Sequence, residues 1–378
     1  MVSLGLTRVL TDEIEVVRRK RVGLITNAVA CDENGTAGLE RFLRDKRFRL
    51  RALFAPEHGI SGKLPAGESV PVRQCDLYGI PLYYLCGRDL GPTAQMLAGL
   101  DALVFDLQDV GCRYYTYATT MVRAMETAAE AGVAFVVLDR PNPLGGQTVQ
   151  GNVLDANFAS SVGCHTIAIR HGMTVGEIAC MFHEEKQLDV ELKVVRMDGW
   201  ERGMYFDDTG LPWVPPSPNL ASLYAVLCYP GTCLFEGTNL SEGRGTDMPF
   251  EQIGAPWLDT SAVFEKLDRD LTDGISLEQT LFKPASSKHA NEVCNGIRWC
   301  YLNREKADPV AAALGLLGAI RAVHDNEFQF DGDHFDRLAG TDIVRRGLSK
   351  GDTARVIRAA WSDQVKSFRE RRDRFLLY

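Results

Sequence analysis

Through its first 140 residues the chain alternates short, apolar, β-branched runs with amphipathic stretches. The pattern predicts strands at residues 21–26, 50–54, 81–85, 102–107 and 134–138, with helices at 38–46, 93–100 and 119–131 between them. Strands that are apolar throughout and separated by helices describe a parallel sheet covered on both faces. A doubly wound α/β domain is the expected fold class. Proline density in residues 211–219 (Leu211, Pro212, Trp213, Val214, Pro215, Pro216, Ser217, Pro218, Asn219) forbids regular helix or sheet there. The junction is expected shortly after it, around residues 228–236, giving units of 1–230 and 231–378. The second unit, with predicted helices at 307–323 and 353–371, reads as a smaller α/β or α+β domain.

Composition narrows the class. A chain of 378 residues with 45% hydrophobic and 24% charged residues has the balance of a soluble globular protein of about two domains. The net charge of −8 argues against a nucleic-acid surface, which carries a basic excess. No run reaches the roughly 18 apolar residues of a membrane span. The opening residues lack the charged start and apolar core of an export signal, so a cytoplasmic location is expected. The 10 cysteines, Cys86 among them, are too sparse for a disulfide scaffold and contain no Cys-x-x-Cys pair. Reduced thiols are expected.

In open α/β sheets ligands bind beyond the carboxyl ends of the strands. Asn27 follows the first predicted strand, and Glu57, His58 and Gly59 follow the second, leading into a glycine-rich loop. The fourth runs into Asp106, Gln108, Asp109, Arg113, Tyr114, Tyr115 and Tyr117, and the fifth into Asp139, Arg140 and Asn142. A second constellation lies at the junction, where Glu236, Asn239, Glu242 and Arg244 are interleaved with Gly231, Gly237, Gly243 and Gly245. Neither G-x-G-x-x-G nor a P-loop is present, and no H-E-x-x-H, calcium loop or G-x-S-x-G elbow occurs. Carboxylates, a histidine, tyrosines and arginines remain, the residue set of a hydrolase that needs neither metal nor nucleotide cofactor.

These residues resemble the bacterial exo-β-N-acetylmuramidase family. The resemblance rests on Phe54-Ala-Pro-Glu-His-Gly59, the run from Asp106 to Tyr117, Asp139-Arg-Pro-Asn-Pro-Leu-Gly-Gly146, the proline-rich stretch at 211–219 and Pro230-Gly-Thr-Cys-Leu-Phe-Glu-Gly-Thr-Asn239, in that order. It implies a Rossmann-like catalytic domain, a smaller C-terminal domain closing the cleft, and no metal or other cofactor. It also implies an exo-acting hydrolase that releases terminal, non-reducing β-linked N-acetylmuramic acid from peptidoglycan fragments, its partner being a muropeptide or disaccharide. Relatives of this kind are often exported, in tension with the expected location. Two readings stay open beside it: a muropeptide-binding protein without turnover, and a glycosidase for a related amino sugar. A dinucleotide-dependent oxidoreductase is disfavoured by the missing glycine fingerprint.

Glycoside hydrolysis usually takes two carboxyl groups, an acid for the leaving oxygen and a base or nucleophile opposite it. Glu57 is the first choice for the acid and Glu236 for its partner, although either fits either role. His58 either orients Glu57 or binds substrate, and Asp109 is the aspartate expected nearest the cleft. Substrate contacts are expected from Asn27, Arg113, Tyr115, Tyr117, Asp139, Arg140, Asn142, Asn239 and Arg244. Each has a plainer alternative in capping, local ion pairing or packing.

Overall fold

The computed structural model describes residues 2–64, 74–85 and 90–378; Cys86 and the latter part of the glycine-rich loop lie outside them. Twelve strands are described: β1 Arg21–Ile25, β2 Arg49–Ala55, β3 Gln74–Leu77, β4 Ile80–Tyr84, β5 Ala102–Phe105, β6 Ala134–Leu138, β7 Gln150–Val153, β8 Ala168–Arg170, β9 Leu192–Val195, β10 Gln252–Ala255, β11 Ile275–Phe282 and β12 Cys294–Tyr301. Seven form one sheet in the order β3-β4-β2-β1-β5-β6-β9, parallel except for β3, which is antiparallel to β4. Numbered among themselves, the six parallel strands run 3-2-1-4-5-6, the Rossmann order.

The apolar runs make this sheet because alternate residues are buried on opposite faces. Ile25, Phe54, Phe105 and Val137 enter one core, while Leu24, Leu53, Val104 and Leu138 enter the other. The first core continues through Tyr114, Tyr115 and Tyr117 to Tyr229, Phe235 and Phe250, then to Trp299 and Leu314 in the second unit. One apolar interior therefore joins both units. The second unit carries the antiparallel sheet β10-β12-β11. The helix Pro309–Val323 packs on the helices Leu223–Thr232 and Thr260–Lys266, and it is begun by an Asp308 carboxylate that accepts the Ala311 N–H and by proline in its first turn.

Several elements differ from the sequence expectation. The predicted helix at 93–100 shortens to Ala94–Leu97, and the predicted helix at 353–371 is two helices, Ala354–Ala359 and Ser362–Arg372. The break falls at buried Trp361 and redirects the last helix back across the first unit. There the Arg369 guanidinium donates to the Val149 carbonyl (3.0 Å) and the Tyr378 hydroxyl to the Asp139 carboxylate (2.8 Å). Strand β9 and the helix Val175–Lys186 carry no sequence expectation. Among the described residues no helix is long and apolar enough to cross a membrane.

Candidate active site

Beyond the carboxyl end of β2, Pro56 sets the chain into a turn that presents Glu57 and His58. His58 has a left-handed backbone (φ 72°), a costly conformation for a side chain with a Cβ. Burial depresses its pKa, so the ring is neutral; its Nδ1–H then donates to the Leu64 carbonyl at 2.7 Å, leaving Nε2 as an acceptor. From β5 the chain passes a loop and starts the helix Thr116–Ala131 beside Glu57. The Thr116 hydroxyl donates to Glu57 Oε2 at 2.6 Å, and the Tyr117 hydroxyl lies 3.2 Å from the Glu57 carbonyl.

The facing wall comes from the junction. The helix Leu223–Thr232 runs into the 3₁₀ turn Cys233–Gly237, which presents Glu236. Arg244 Nε donates to Glu236 Oε1 at 2.9 Å and lies 3.2 Å from Glu242 Oε1, and its guanidinium rests 4.9 Å over the Phe250 ring. Burial works against the Arg244 charge, but the carboxylates of Glu236 and Glu242 more than offset it. The Lys288 ammonium pins this loop from behind: it donates to the carbonyls of Phe235, Glu236 and Leu240, each at 2.9 Å, and to Glu242 Oε2 at 3.1 Å. Glu57, His58, Tyr115, Glu236 and Arg244 line one cavity of about 120 Å³, together with Thr116, Tyr229 and Phe250. Other cavities are larger, among them one of about 570 Å³ at the β9 edge, but neither that one nor the cavity of about 380 Å³ in the second unit is lined by any of the sequence-predicted site residues.

Sequence expectation and structure part company over the remaining candidates, none of which lines this cavity. Asp109, expected in the cleft, is buried, with Oδ2 accepting the Gly111 N–H at 2.7 Å and lying 3.6 Å from His171 Nε2. Arg113 is buried on carbonyls of Asn152, Ile167, Leu338 and Ala339, tying the two units together. Asp139 is fully buried, accepting from Thr174, Gly176 and Tyr378; burial pushes its pKa up to about 6. Arg140 pairs with buried Asp106 at 2.7 Å. Asn142 caps its own turn through Leu144 N–H and packs on Gly111, whose positive φ and lack of a Cβ make room for it. Asn239 clamps residues Glu327 and Gln329. Asn27 donates to the Tyr117 hydroxyl (3.0 Å), and Tyr117 reaches the Pro216 carbonyl, as does Tyr115 from the cavity lining, so Asn27 and Tyr117 brace the wall from behind. Thr116, Tyr229, Phe250 and Lys288 were not picked out from sequence. Thr116 stands inside the Arg113–Tyr117 run, which was the available signal; Lys288 has no local signal.

The family model described as exo-beta-N-acetylmuramidase NamZ, N-terminal, matches residues 22–224, and its C-terminal counterpart matches residues 227–378. The models meet inside the helix Leu223–Thr232. The peptidoglycan beta-N-acetylmuramidase NamZ of Bacillus subtilis (strain 168) is 39% identical over 378 residues, covering 100% of this chain and 91% of that protein. Two crystal structures of DUF1343 family proteins from Bacteroides fragilis NCTC 9343 superpose with TM-scores of 0.92 and 0.80, at 31% and 30% identity. Each covers 100% of this chain and 99% of the other.

Proposed function

This chain belongs to the exo-β-N-acetylmuramidase family, and from that premise we propose that Glu57 and Glu236 are the two carboxyl groups of its reaction. The protein is a glycoside hydrolase that removes N-acetylmuramic acid from the end of peptidoglycan fragments. The observation that carries the residue assignment is one cavity receiving Glu57 from the first unit and Glu236 from the junction. Glu57 is the acid that protonates the departing glycosidic oxygen, and Glu236 the carboxylate that acts on the anomeric carbon or its water. His58 Nε2 accepts from a sugar hydroxyl, and Tyr115, Tyr229 and Phe250 supply apolar wall for the ring faces.

Arg244 is the proposed receptor for the lactyl carboxylate. Its Nε and Nη2 face Glu236, while Nη1 has no hydrogen-bond partner among the described residues, leaving that edge for an anion. A muropeptide or disaccharide is the proposed substrate form. A reducing compartment is the proposed location, supported by free thiols at the nine described cysteines. The two functional units are proposed as 1–230 and 231–378.

Hydrolysis of 4-nitrophenyl β-N-acetylmuramide and of the matching glucosaminide tests the reading. Activity on the muramide alone is expected, and Arg244→Lys should raise its KM roughly tenfold or more, the scale of a lost hydrogen bond to a charged group. Equal activity on the glucosaminide would overturn the carboxylate-receptor role. Thermal protection by a muropeptide with no sugar released would overturn catalysis.

A further inference from the structure

The acid must be held as well as present. A glutamate side chain has three rotatable bonds, and placing its carboxyl group beside a departing oxygen costs conformational freedom unless the surroundings have already fixed it. In this chain Glu57 is gripped at two levels from one short segment, the start of the helix Thr116–Ala131. The Tyr117 hydroxyl, which accepts from Asn27 Nδ2 at 3.0 Å, sits against the Glu57 backbone carbonyl. One residue earlier, the Thr116 hydroxyl donates to Glu57 Oε2 at 2.6 Å from within the same cavity wall.

We propose that Thr116 is a positioning residue for the hydrolysis, acting through Glu57; the proposal rests on the reading of Glu57 as the acid. Three features separate this contact from an incidental one. Thr116 is the first residue of a 16-residue helix, so its Cα is carried by regular structure and not by a loop. It is not the residue that caps that helix: Tyr115 occupies the cap position and makes no side-chain cap bond, so the Thr116 hydroxyl is not needed there. Thr116 also lines the same cavity as Glu57, so the contact is made at the site itself.

The test compares Thr116→Val, which keeps the shape and removes the hydroxyl, with Thr116→Ser, which keeps the hydroxyl, and with Glu57→Gln. Each is assayed on an N-acetylmuramyl-N-acetylglucosamine disaccharide and on 4-nitrophenyl β-N-acetylmuramide. The sugar leaving group needs a proton, and nitrophenolate hardly does. Thr116→Val is expected to lower kcat on the disaccharide roughly 10- to 100-fold, the scale of one hydrogen bond to a charged group, with KM little changed. On the nitrophenyl substrate its loss should be a small fraction of that, and Thr116→Ser should restore most of the disaccharide activity. Equal losses of Thr116→Val on both substrates, or no loss on the disaccharide, would overturn the positioning role. Glu57→Gln separates the two claims. If it shows the leaving-group dependence and Thr116→Val does not, the Thr116 proposal alone falls; if Glu57→Gln also lacks it, the acid assignment falls and takes the proposal with it.

Discussion

A Glu57→Gln enzyme is expected to release N-acetylmuramic acid from a disaccharide roughly 10²–10⁴-fold more slowly than the parent, the usual contribution of general acid–base catalysis. Glutamine keeps the size of the side chain and can still take the Thr116 hydroxyl on its amide oxygen, so the wall of the cavity should keep its shape. What it loses is the transferable proton. The unfolding midpoint should move little, because Glu57 sits in a turn at the cavity and not in either apolar core. The decisive comparison is again the leaving group: on the nitrophenyl glycoside the deficit should shrink by more than tenfold. Near-normal disaccharide turnover would remove Glu57 from the acid role, and Glu236 would be the next carboxyl group to test.

The fold was legible wherever burial was complete. Strands β1, β5 and β6 are apolar nearly end to end, and β2 over its last four residues, because helices cover both faces, and the sequence pattern places each within two residues of its observed ends. Strand β9, Leu192-Lys-Val-Val195, carries a weak sequence signal because it is the edge of the sheet and only half buried, so its apolar pattern is diluted by a lysine. The sequence predicts one helix at 353–371 because its composition is helical throughout; the break at Trp361 is imposed by packing.

The site divides along the same physical line. Glu57 and Glu236 stand out in the sequence because a carboxylate beside glycine at a strand end or in a glycine-studded turn is locally unusual, and the structure brings both to one cavity. Arg113, Asp139, Asn142 and Asn239 look just as unusual locally, yet their partners are groups distant in the chain: Arg113 reaches Leu338 and Ala339, and Asp139 reaches Tyr378. A polar residue after a strand signals that something must be satisfied, and only the three-dimensional structure says whether a ligand or a carbonyl does it. Lys288 shows the reverse case. It looks like any loop lysine, but its ammonium organises the turn that carries Glu236.

Arg113→Met should cost about 3–5 kcal/mol of stability, the largest structural effect expected in the chain. Arg113 is buried and its pKa is lowered by that burial, so holding its charge inside is itself unfavourable. Four carbonyl oxygens justify it: Nη1 donates to Asn152 (2.9 Å) and Ile167 (3.2 Å), Nη2 to Leu338 (3.0 Å) and Ala339 (2.8 Å). The first pair belongs to the first unit and the second pair to the second, so one guanidinium crosses the junction. Methionine fills part of the volume and relieves the buried charge, but it leaves these carbonyls without that donor, at ~1–3 kcal/mol for each one left unsatisfied. Asn152 Nδ2 still reaches the Ala339 oxygen at 2.7 Å, which keeps the loss below the sum of four. Lysine should recover little, since one compact ammonium cannot span both pairs as the planar fork does. Denaturant unfolding checks the expectation, with activity measured well below the transition, where kcat should stay within a few-fold because Arg113 does not line the cavity. An unchanged midpoint would mean that burying the charge costs as much as its four hydrogen bonds return. A large loss of kcat in a fully folded Arg113→Met enzyme would instead bring Arg113 back toward the substrate.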